Sequence, residues 1–264
     1  MVEGEATRGV CAPGRTDGHS VRAACASDVG RERHQNEDRC LVAAERDLFI
    51  VSDGMGGHQA GEVASQVVVS ILPTLIRRQL AGVTSLRSRL AELILREAIL
   101  DLGRRLRAET AGQPGLRGLG ATVALVWLCE AGVAHLAHMG DSRIYLVRQG
   151  QLVQLTEDHS VVALLLRDGD ITPDEARSHP ARGQLSRYVG MEGEAYADVQ
   201  TIQLQGGDRL LLCSDGLTRP LSDGHIAELL ATCGEPEAAC QALVAAANAA
   251  GGPDNITALV VDFG

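Results

Sequence analysis

The chain opens with short apolar segments and continues with two long segments in which apolar residues recur at helical spacing. Residues 62–80 and 85–108 carry apolar side chains three and four positions apart, which predicts two helices joined near Gly82. The earlier segments alternate partly between apolar and polar residues over a few positions, which is typical of β-strands. These predicted strands are residues 21–27, 39–43 and 48–52.

A denser series of short apolar segments follows in the second half of the chain. Turn-like connectors such as Gln149-Gly150 separate neighbouring segments. Because a parallel crossover needs a dozen or more residues, strands joined so closely are antiparallel. The predicted strands here are residues 121–129, 133–138, 143–148, 151–154, 199–204, 209–213 and 256–262, and helices are predicted at 223–233 and 237–250.

The order of these elements predicts an α+β fold in which antiparallel sheets are covered by helices. Residues 1–19 are polar, rich in small residues and without periodicity, so we expect a flexible tail. No linker or repeat follows, and residues 20–264 are expected to form a single domain.

The composition excludes several classes of function. The chain carries a net charge of −10 and only 2% aromatic residues, which argues against binding to nucleic acid. It contains no Lys, so a Walker-type phosphate loop, a Schiff base and a Lys general base are excluded. Seven Cys without a CxxC spacing, no signal-peptide pattern and no membrane-length apolar run favour a cytoplasmic protein with reduced thiols.

Acidic residues cluster where predicted strands end. A buried Asp at a strand end is costly to desolvate unless a cation neutralises it. Mg²⁺ and Mn²⁺ prefer such oxygen ligands, and a following Gly lets the backbone carbonyl approach the ion. Any one Asp-Gly pair is more simply a turn, but five clusters together indicate a metal site. Their residues are Glu37 with Asp38, Asp53 with Gly54, Asp141, Asp215, and Asp254 with Asn255.

The remaining polar residues refine this prediction. Arg33 lies four residues before Glu37, and an Arg beside a metal cluster suits a phosphate ester, although the spacing alone also fits an exposed turn. The eight His are scattered without zinc-site spacing, which argues against a His- or Cys-based zinc site.

Taken together, six segments resemble the metal-dependent serine/threonine protein phosphatases of the type 2C family, in their bacterial form. They occur in the family order and span nearly all of the chain beyond the tail. The segments are SDVGRERHQNED (27–38), FIVSDGMGGHQAGEVAS (49–65), GLGATVALV (118–126), HMGDSRIYLVRQGQLVQLTEDHS (138–160), LLLCSDGL (210–217) and GGPDNITALVV (251–261).

The resemblance implies a four-layer α-β-β-α sandwich, in which two antiparallel sheets are flanked by pairs of helices. It also implies two core Mn²⁺ or Mg²⁺ ions and a third, weaker one. Asp53 would bridge the two core ions and Arg33 would bind phosphate, while Asp38 and Asn255 would lie behind the ligands. The implied ligands are Glu37 and the Gly54 carbonyl for one ion, Asp215 and Asp254 for the other, and Asp141, which could share the third ion with Asp215.

The mechanism implied by the resemblance is attack by a metal-bridging hydroxide on phosphoserine or phosphothreonine, without a phosphoenzyme. Arg33, Asp53 and Asp215 would carry the catalytic work. Met55 stands where some relatives have a His proposed as the general acid, so leaving-group protonation would fall to metal-bound water. Residues 160–195 correspond to the variable flap of the family.

Three alternatives compete with this interpretation. Residues 164–172 resemble the DxDxT signature of phosphatases that form an aspartyl-phosphate, but Arg167 interrupts the apolar run and too little chain follows. A non-catalytic phosphoprotein-binding member would lack metal ligands, whereas every ligand position is filled. A member dedicated to one regulatory protein cannot be separated from a general phosphatase. The expected partners are phosphorylated substrates of a Ser/Thr kinase, and the expected state is a monomer.

Overall fold

The computed structural model describes residues 7–10, 14–16, 19–43, 47–56, 59–81, 88–110, 118–129, 132–193 and 195–264. The strands in this part of the chain are β1 Thr7–Val10, β2 Gly14–Thr16, β3 His19–Asp28, β4 Asp38–Ala43, β5 Leu48–Met55, β6 Gly120–Ala121, β7 Val123–Leu128, β8 Val133–Met139, β9 Arg143–Arg148, β10 Gln151–Gln154, β11 Asp198–Gln203, β12 Asp208–Cys213 and β13 Ile256–Phe263. The helices are α1 Gln59–Leu80, α2 Ser88–Thr110, α3 Val161–Asp168, α4 Pro173–Arg177, α5 Asp215–Thr218, α6 Asp223–Thr232 and α7 Pro236–Ala249.

Two antiparallel sheets form the centre of the molecule. The first has the strand order β1-β3-β13-β12-β9-β10, with β2 also paired to β3. The second has the order β11-β8-β7-β5-β4, with β6 paired to β5. Long-range neighbours such as β3 and β13, which lie at opposite ends of the chain, show that the sheets are assembled by tertiary contacts and not by hairpins alone.

The period of two along each strand sorts side chains into separate layers. In β7, Val123 and Leu125 pack against α1 and α2, whereas Ala124 and Val126 face the first sheet. In β12, Leu210 and Leu212 join the layer between the sheets, while Leu211 and Cys213 pack against α6 and α7. Three apolar layers therefore hold four structural layers together, and each fully buried Leu or Val contributes roughly 1.5–3 kcal/mol.

The helices close the two outer faces of the sandwich. α1 and α2 pack on the second sheet, and α7 packs on β3 and β13 of the first. Several helix starts follow capping rules: Ser222 caps α6, and Thr172 and Glu175 form a capping box at α4. The predicted α+β sandwich of two antiparallel sheets flanked by helices is confirmed.

Most predicted elements lie within a few residues of their observed bounds, and three differ. The predicted strand 121–129 is divided into β6 and β7 at Thr122, whose backbone N–H donates to the Asp53 carbonyl at 2.8 Å. The short helix α5 was not predicted from its pattern. Within the predicted tail, β1 and β2 pair with β3, a contact that local composition does not encode.

The segment predicted as a flap contains α3 and α4. Ser160 forms a β-bridge with Leu185, which joins the start of this segment to its later part. Leu185 lines the same cleft as the acidic residues described below. No helix in the described ranges combines the length and the apolar character that crossing a membrane requires.

Candidate active site

A cleft of about 640 Å³ opens where several strands of the two sheets end. The chain reaches it from β4 and β5 of one sheet and from the ends of β12 and β13 of the other. The cleft brings together eight of the nine residues predicted from the sequence, and the ninth, Asp38, is buried behind it. The lining residues among them are Arg33, Glu37, Asp53, Gly54, Asp141, Asp215, Asp254 and Asn255.

Asp53 lies near the end of β5, opposite Asp38 in the β4–β5 register. Its backbone N–H donates to Thr122 Oγ1 at 2.8 Å, and Thr122 Oγ1 is itself 2.7 Å from Ser142 Oγ. The break between β6 and β7 thus holds the backbone of Asp53 in place. Desolvation and the neighbouring Asp38 and Asp215 carboxylates raise the pKa of Asp53 well above its usual value.

Glu37 is held at the cleft by close backbone packing. The Gly54 N–H donates to the Glu37 carbonyl at 3.2 Å, and Ser65 Oγ donates to the same oxygen at 2.5 Å. A Cβ on Gly61 would lie 2.7 Å from Glu37 Oε2, and a Cβ on Gly54 would lie 1.9 Å from the Gly61 carbonyl oxygen. Glycine at both positions therefore permits the carboxylate and the Gly54 backbone to approach each other.

Asp141 and Asp215 complete the centre of the cleft. Asp215 is the first residue of α5 and follows β12 closely, while Asp141 follows the end of β8. Carboxylate oxygens of Asp53, Asp141 and Asp215 all lie within 4.8 Å of one another. Burial raises the pKa of all three carboxyls; neighbouring carboxylates add to the shift, chiefly Asp38 at Asp53, Asp215 at Asp141 and Asp254 at Asp215. Asp215 Oδ1 is buried with no hydrogen-bond partner among the described residues.

Asp38 is 1% exposed and supports the site from behind. Its Oδ2 accepts a hydrogen bond from Ser214 Oγ at 2.6 Å, and Oδ1 has no partner in the described part of the chain. Burial raises the pKa of Asp38 to about 7, although the hydrogen bonds from Ser214 and Thr257 oppose this shift. The Ser214 contact ties Asp38 to the residue immediately before Asp215.

Asn255 and Asp254 hold the loop that carries Arg33 and Glu37. Asn255 Oδ1 accepts from the Glu37 N–H at 2.8 Å, and its Nδ2 donates to the carbonyls of Val29 and Gln35. Asp254 Oδ2 accepts from the Arg33 guanidinium at 2.9 Å. The Arg33 side chain is 51% exposed and lines the cleft, so it is accessible to a molecule that enters.

This arrangement suits hard divalent cations. Six carboxylates line the cleft, no Lys or Cys is among the lining residues, and carboxylate oxygens are donors that Mg²⁺ and Mn²⁺ prefer. The raised pKa values and the unpartnered oxygens of Asp38 and Asp215 are the expected signs of a site built for positive charge. The predicted ligands therefore fit the ions that the resemblance implies.

A second group of ligating atoms lies outside this cleft, at His138, His159 and Asp198. Both ring nitrogens of His138 are buried without a hydrogen-bond partner in the described part of the chain, whereas His159 and Asp198 are bonded within the protein. His159 Nδ1 accepts from the Gly140 N–H at 3.2 Å, its Nε2 lies 2.9 Å from Asp198 Oδ2, and Arg187 forms two hydrogen bonds to the same carboxylate. These contacts tie the segment after β10 to Asp198 at the start of β11.

Comparison with known protein families supports the same interpretation as the metal-binding geometry of the cleft. The profile described as protein phosphatase 2C matches residues 30–247. The chain belongs to the protein phosphatase 2C family. This confirms the predicted family, and its relatives are named serine/threonine phosphatases, which confirms the predicted enzyme class at the level of the family.

Individual relatives cover most of this phosphatase 2C chain. The serine/threonine phosphatase Stp of Listeria monocytogenes is 37% identical over 89% of the chain and 93% of the relative. The crystal structure of the Mycobacterium tuberculosis phosphatase PstP/Ppp is 38% identical, covers 92% of this chain and 98% of that one, and has a TM-score of 0.80. A structure of the PstP catalytic domain in complex with two manganese ions is 35% identical, covers 93% and 99%, and has a TM-score of 0.81.

Arg219 is a charged cleft residue that the sequence interpretation of this phosphatase missed. Its guanidinium forms ion pairs with Asp215 and with Asp254 Oδ2, the latter at 3.1 Å. The available signal was its position four residues after Asp215, because one helical turn brings such residues to the same face. That signal depends on α5, which no periodicity predicted.

Proposed function

We propose that the chain hydrolyses phosphoserine and phosphothreonine in proteins with the help of divalent cations. The observation that carries this proposal is the convergence of the Asp53, Asp141 and Asp215 oxygens within 4.8 Å at the base of a cleft that Arg33 also lines. The family membership supports the same reaction, and the named relatives are serine/threonine phosphatases.

In this proposal Mn²⁺ or Mg²⁺ is held by the cleft carboxylates. Asp53 would contact both core ions, Glu37 and the Gly54 carbonyl would hold one of them, and Asp141 would contribute to a third. Asp215 and Asp254 would hold the second core ion. When bound, such ions supply a nucleophile from water near neutral pH and positive charge for the phosphoryl oxygens. The manganese complex of a relative supports this assignment.

The residues of the chain itself would bind and orient the phosphoryl group. The exposed guanidinium of Arg33 offers a planar pair of donors for two phosphoryl oxygens. Asn255 fixes the loop between Arg33 and Glu37, so the phosphate-binding and metal-binding residues keep a constant separation. Asp38, which accepts a hydrogen bond from Ser214, would orient the metal-binding groups that lie between it and the cleft.

The leaving group has no assigned proton donor in this proposal. Met55 lines the cleft at the position where some relatives carry a His. His58, which lies near it in sequence, falls outside the described residues. Hydrolysis without a phosphoenzyme, a role opposing a bacterial Ser/Thr kinase, a cytoplasmic location and a monomeric state stay predictions from the sequence.

The first experiment is hydrolysis of a phosphothreonine peptide by the purified chain with Mn²⁺, with Mg²⁺ and with excess chelator. We expect turnover with either ion and background rates with chelator, because the cleft carboxylates need the ion to generate the nucleophile. A folded sample that is inactive with both ions would favour the alternative of a non-catalytic phosphoprotein-binding member.

A second experiment tests the phosphate-binding role of Arg33. We expect Arg33→Ala to raise KM for the phosphopeptide about tenfold, with a smaller fall in kcat, since a charged hydrogen bond to a ground-state phosphoryl group is lost. Steady-state kinetics with saturating Mn²⁺ measure this directly. Arg31→Ala is the matched control. It removes the same charge only two residues from Arg33, but Arg31 does not line the cleft. An unchanged KM would remove Arg33 from the site.

A further inference from the structure

Arg219 occupies a position that the proposed reaction does not explain. It directly follows α5, and its backbone N–H donates to the Asp215 carbonyl at 2.8 Å, so its side chain lies one helical turn from the Asp215 carboxylate. The guanidinium pairs with Asp215 Oδ2 and lies 3.1 Å from Asp254 Oδ2. These are the two carboxylates assigned above to one metal ion.

The ion pairs of Arg219 use carboxylate oxygens that a metal ion would also use. Asp254 Oδ2 already accepts from Arg33 at 2.9 Å, and Asp254 Oδ1 accepts from the Asn255 N–H at 2.9 Å. Asp215 and Asp254 are 9% and 15% exposed in these pairs, so solvent screens the guanidinium only partly. A guanidinium and a divalent cation on the same two carboxylates repel each other.

We propose that Arg219 is a built-in counter-ion of the metal site: its guanidinium pairs with both Asp215 and Asp254 and lowers the affinity of the site for divalent cations. This inference rests on the proposed function, because it takes Asp215 and Asp254 as metal ligands. The Arg219 guanidinium would then place a positive charge beside the two carboxylates that are proposed to hold the ion.

The backbone that carries the two carboxylates is tightly packed, whereas the Arg219 side chain is partly exposed. A Cβ on Gly216 would lie 1.9 Å from the Asn255 carbonyl oxygen, so the backbone after Asp215 is packed tightly against the Asp254-Asn255 segment. The Arg219 side chain is 30% exposed, and its Nη2 would lie 3.0 Å from a Cβ built on Gly183 of the flap segment.

The opposite role is also physically defined. An Arg that hydrogen-bonds the outer oxygens of ligating carboxylates can orient them and strengthen metal binding, and loss of such a contact weakens binding. The two roles predict opposite changes in metal affinity when the guanidinium is removed. Metal binding itself, measured without substrate, therefore decides between them.

The test compares Arg219→Gln with wild type and with Arg105→Gln in the full chain. Arg105 is a matched control because it pairs with Asp101 at the same four-residue spacing on the exposed face of α2. Mn²⁺ binding is measured by calorimetry on chelator-stripped protein, and thermal unfolding is followed with and without Mn²⁺. We expect Arg219→Gln to bind Mn²⁺ about tenfold more tightly, as expected for removing a nearby like charge.

The melting temperatures add an independent readout. Metal-free Arg219→Gln should unfold at a lower temperature than wild type, because Asp215 and Asp254 lose their counter-ion, and its gain on adding Mn²⁺ should be larger. Arg105→Gln should match wild type in both measurements. Arg219→Lys keeps the charge without the two-sided contact and should show a smaller gain in affinity, which gives a second variant if Arg219→Gln does not fold.

Two results with a metal-binding wild type would overturn this inference alone. Weaker Mn²⁺ binding by Arg219→Gln would assign Arg219 an orienting role, and unchanged binding would make it a bystander. If wild type bound no Mn²⁺ and hydrolysed no phosphopeptide, the metal site itself would be wrong and the proposed function would fail with it.

Discussion

Asp53→Asn is expected to lower turnover of a phosphothreonine peptide by at least about 100-fold, because losing even a supporting contact behind a metal ligand costs about 10–100-fold. Asp53 lies at the centre of the cleft, with its oxygens within 4.8 Å of those of Asp141 and Asp215. An amide in place of the carboxylate keeps the shape but removes the negative charge that would contact both core ions. Asp215→Asn should have a comparable effect for the same reason.

The fold of Asp53→Asn should survive, and this separates a catalytic from a structural effect. In the metal-free protein the Asp53 carboxyl is desolvated and surrounded by other carboxylates, so removing its charge relieves repulsion. The measurements are steady-state rates across a Mn²⁺ titration and thermal unfolding in chelator. Asp101→Asn, on the exposed face of α2, is the control for loss of one carboxylate. Near wild-type rates in Asp53→Asn would refute the metal assignment.

The second large effect concerns the free energy of unfolding in the absence of metal. We expect it to depend on pH because of Asp38. The pKa of Asp38 is raised from 3.8 to about 7 in the folded protein by burial. Both states are protonated below about pH 4, and between about pH 4 and 7 the unfolded state releases its proton first. The contribution of Asp38 to stability is therefore full below about pH 4 and is lost as pH rises to about 7, by an amount on the order of a few kcal/mol.

Asp38→Asn isolates this contribution from the other titrating groups. In excess chelator, the melting temperature of the variant minus that of wild type should rise steadily from about pH 4 to about pH 7 and then level off. The amide of the variant retains an oxygen that can accept the hydrogen bond from Ser214. A difference that does not change with pH would show that Asp38 keeps an ordinary pKa. Saturating Mn²⁺ should flatten the profile, because positive charge nearby restores the ionised carboxylate.

Several features of the fold follow from local pattern in the sequence. The periods of two and of about 3.6 locate most strands of both sheets and the helices α1, α2, α6 and α7, whereas β1 and β2 fell within the predicted tail. The short connectors of the β7–β8 and β9–β10 hairpins require antiparallel pairing, as observed. The equally short connector between β8 and β9 joins strands of different sheets, so the expectation of a paired neighbour is wrong there. The pairing of β3 with β13, by contrast, joins the two ends of the chain and has no local signal.

The limits of the sequence are clearest at Thr122 and Arg219. Thr122 looks like one more residue of an apolar strand, yet its backbone and hydroxyl hold Asp53 from a neighbouring strand. Arg219 looks like a solvated turn residue, yet its guanidinium lies between two carboxylates. The role of Thr122 and the contact of Arg219 with Asp254 depend on groups far away in the chain, which local periodicity does not record.

The sequence by itself determined the chemistry of this protein: an oxygen-rich, Lys-free set of carboxylates at strand ends, with one Arg suited to phosphate and segments typical of type 2C phosphatases. The type of a residue and its position relative to a strand end are local properties, so the sequence alone reveals them. Only the tertiary structure showed that Asp53, Asp141 and Asp215 lie close together and that Asp38 is buried behind them. It also showed that Asp254 is paired with the Arg219 guanidinium. Charge interactions act through space, so the distances between remote segments set them.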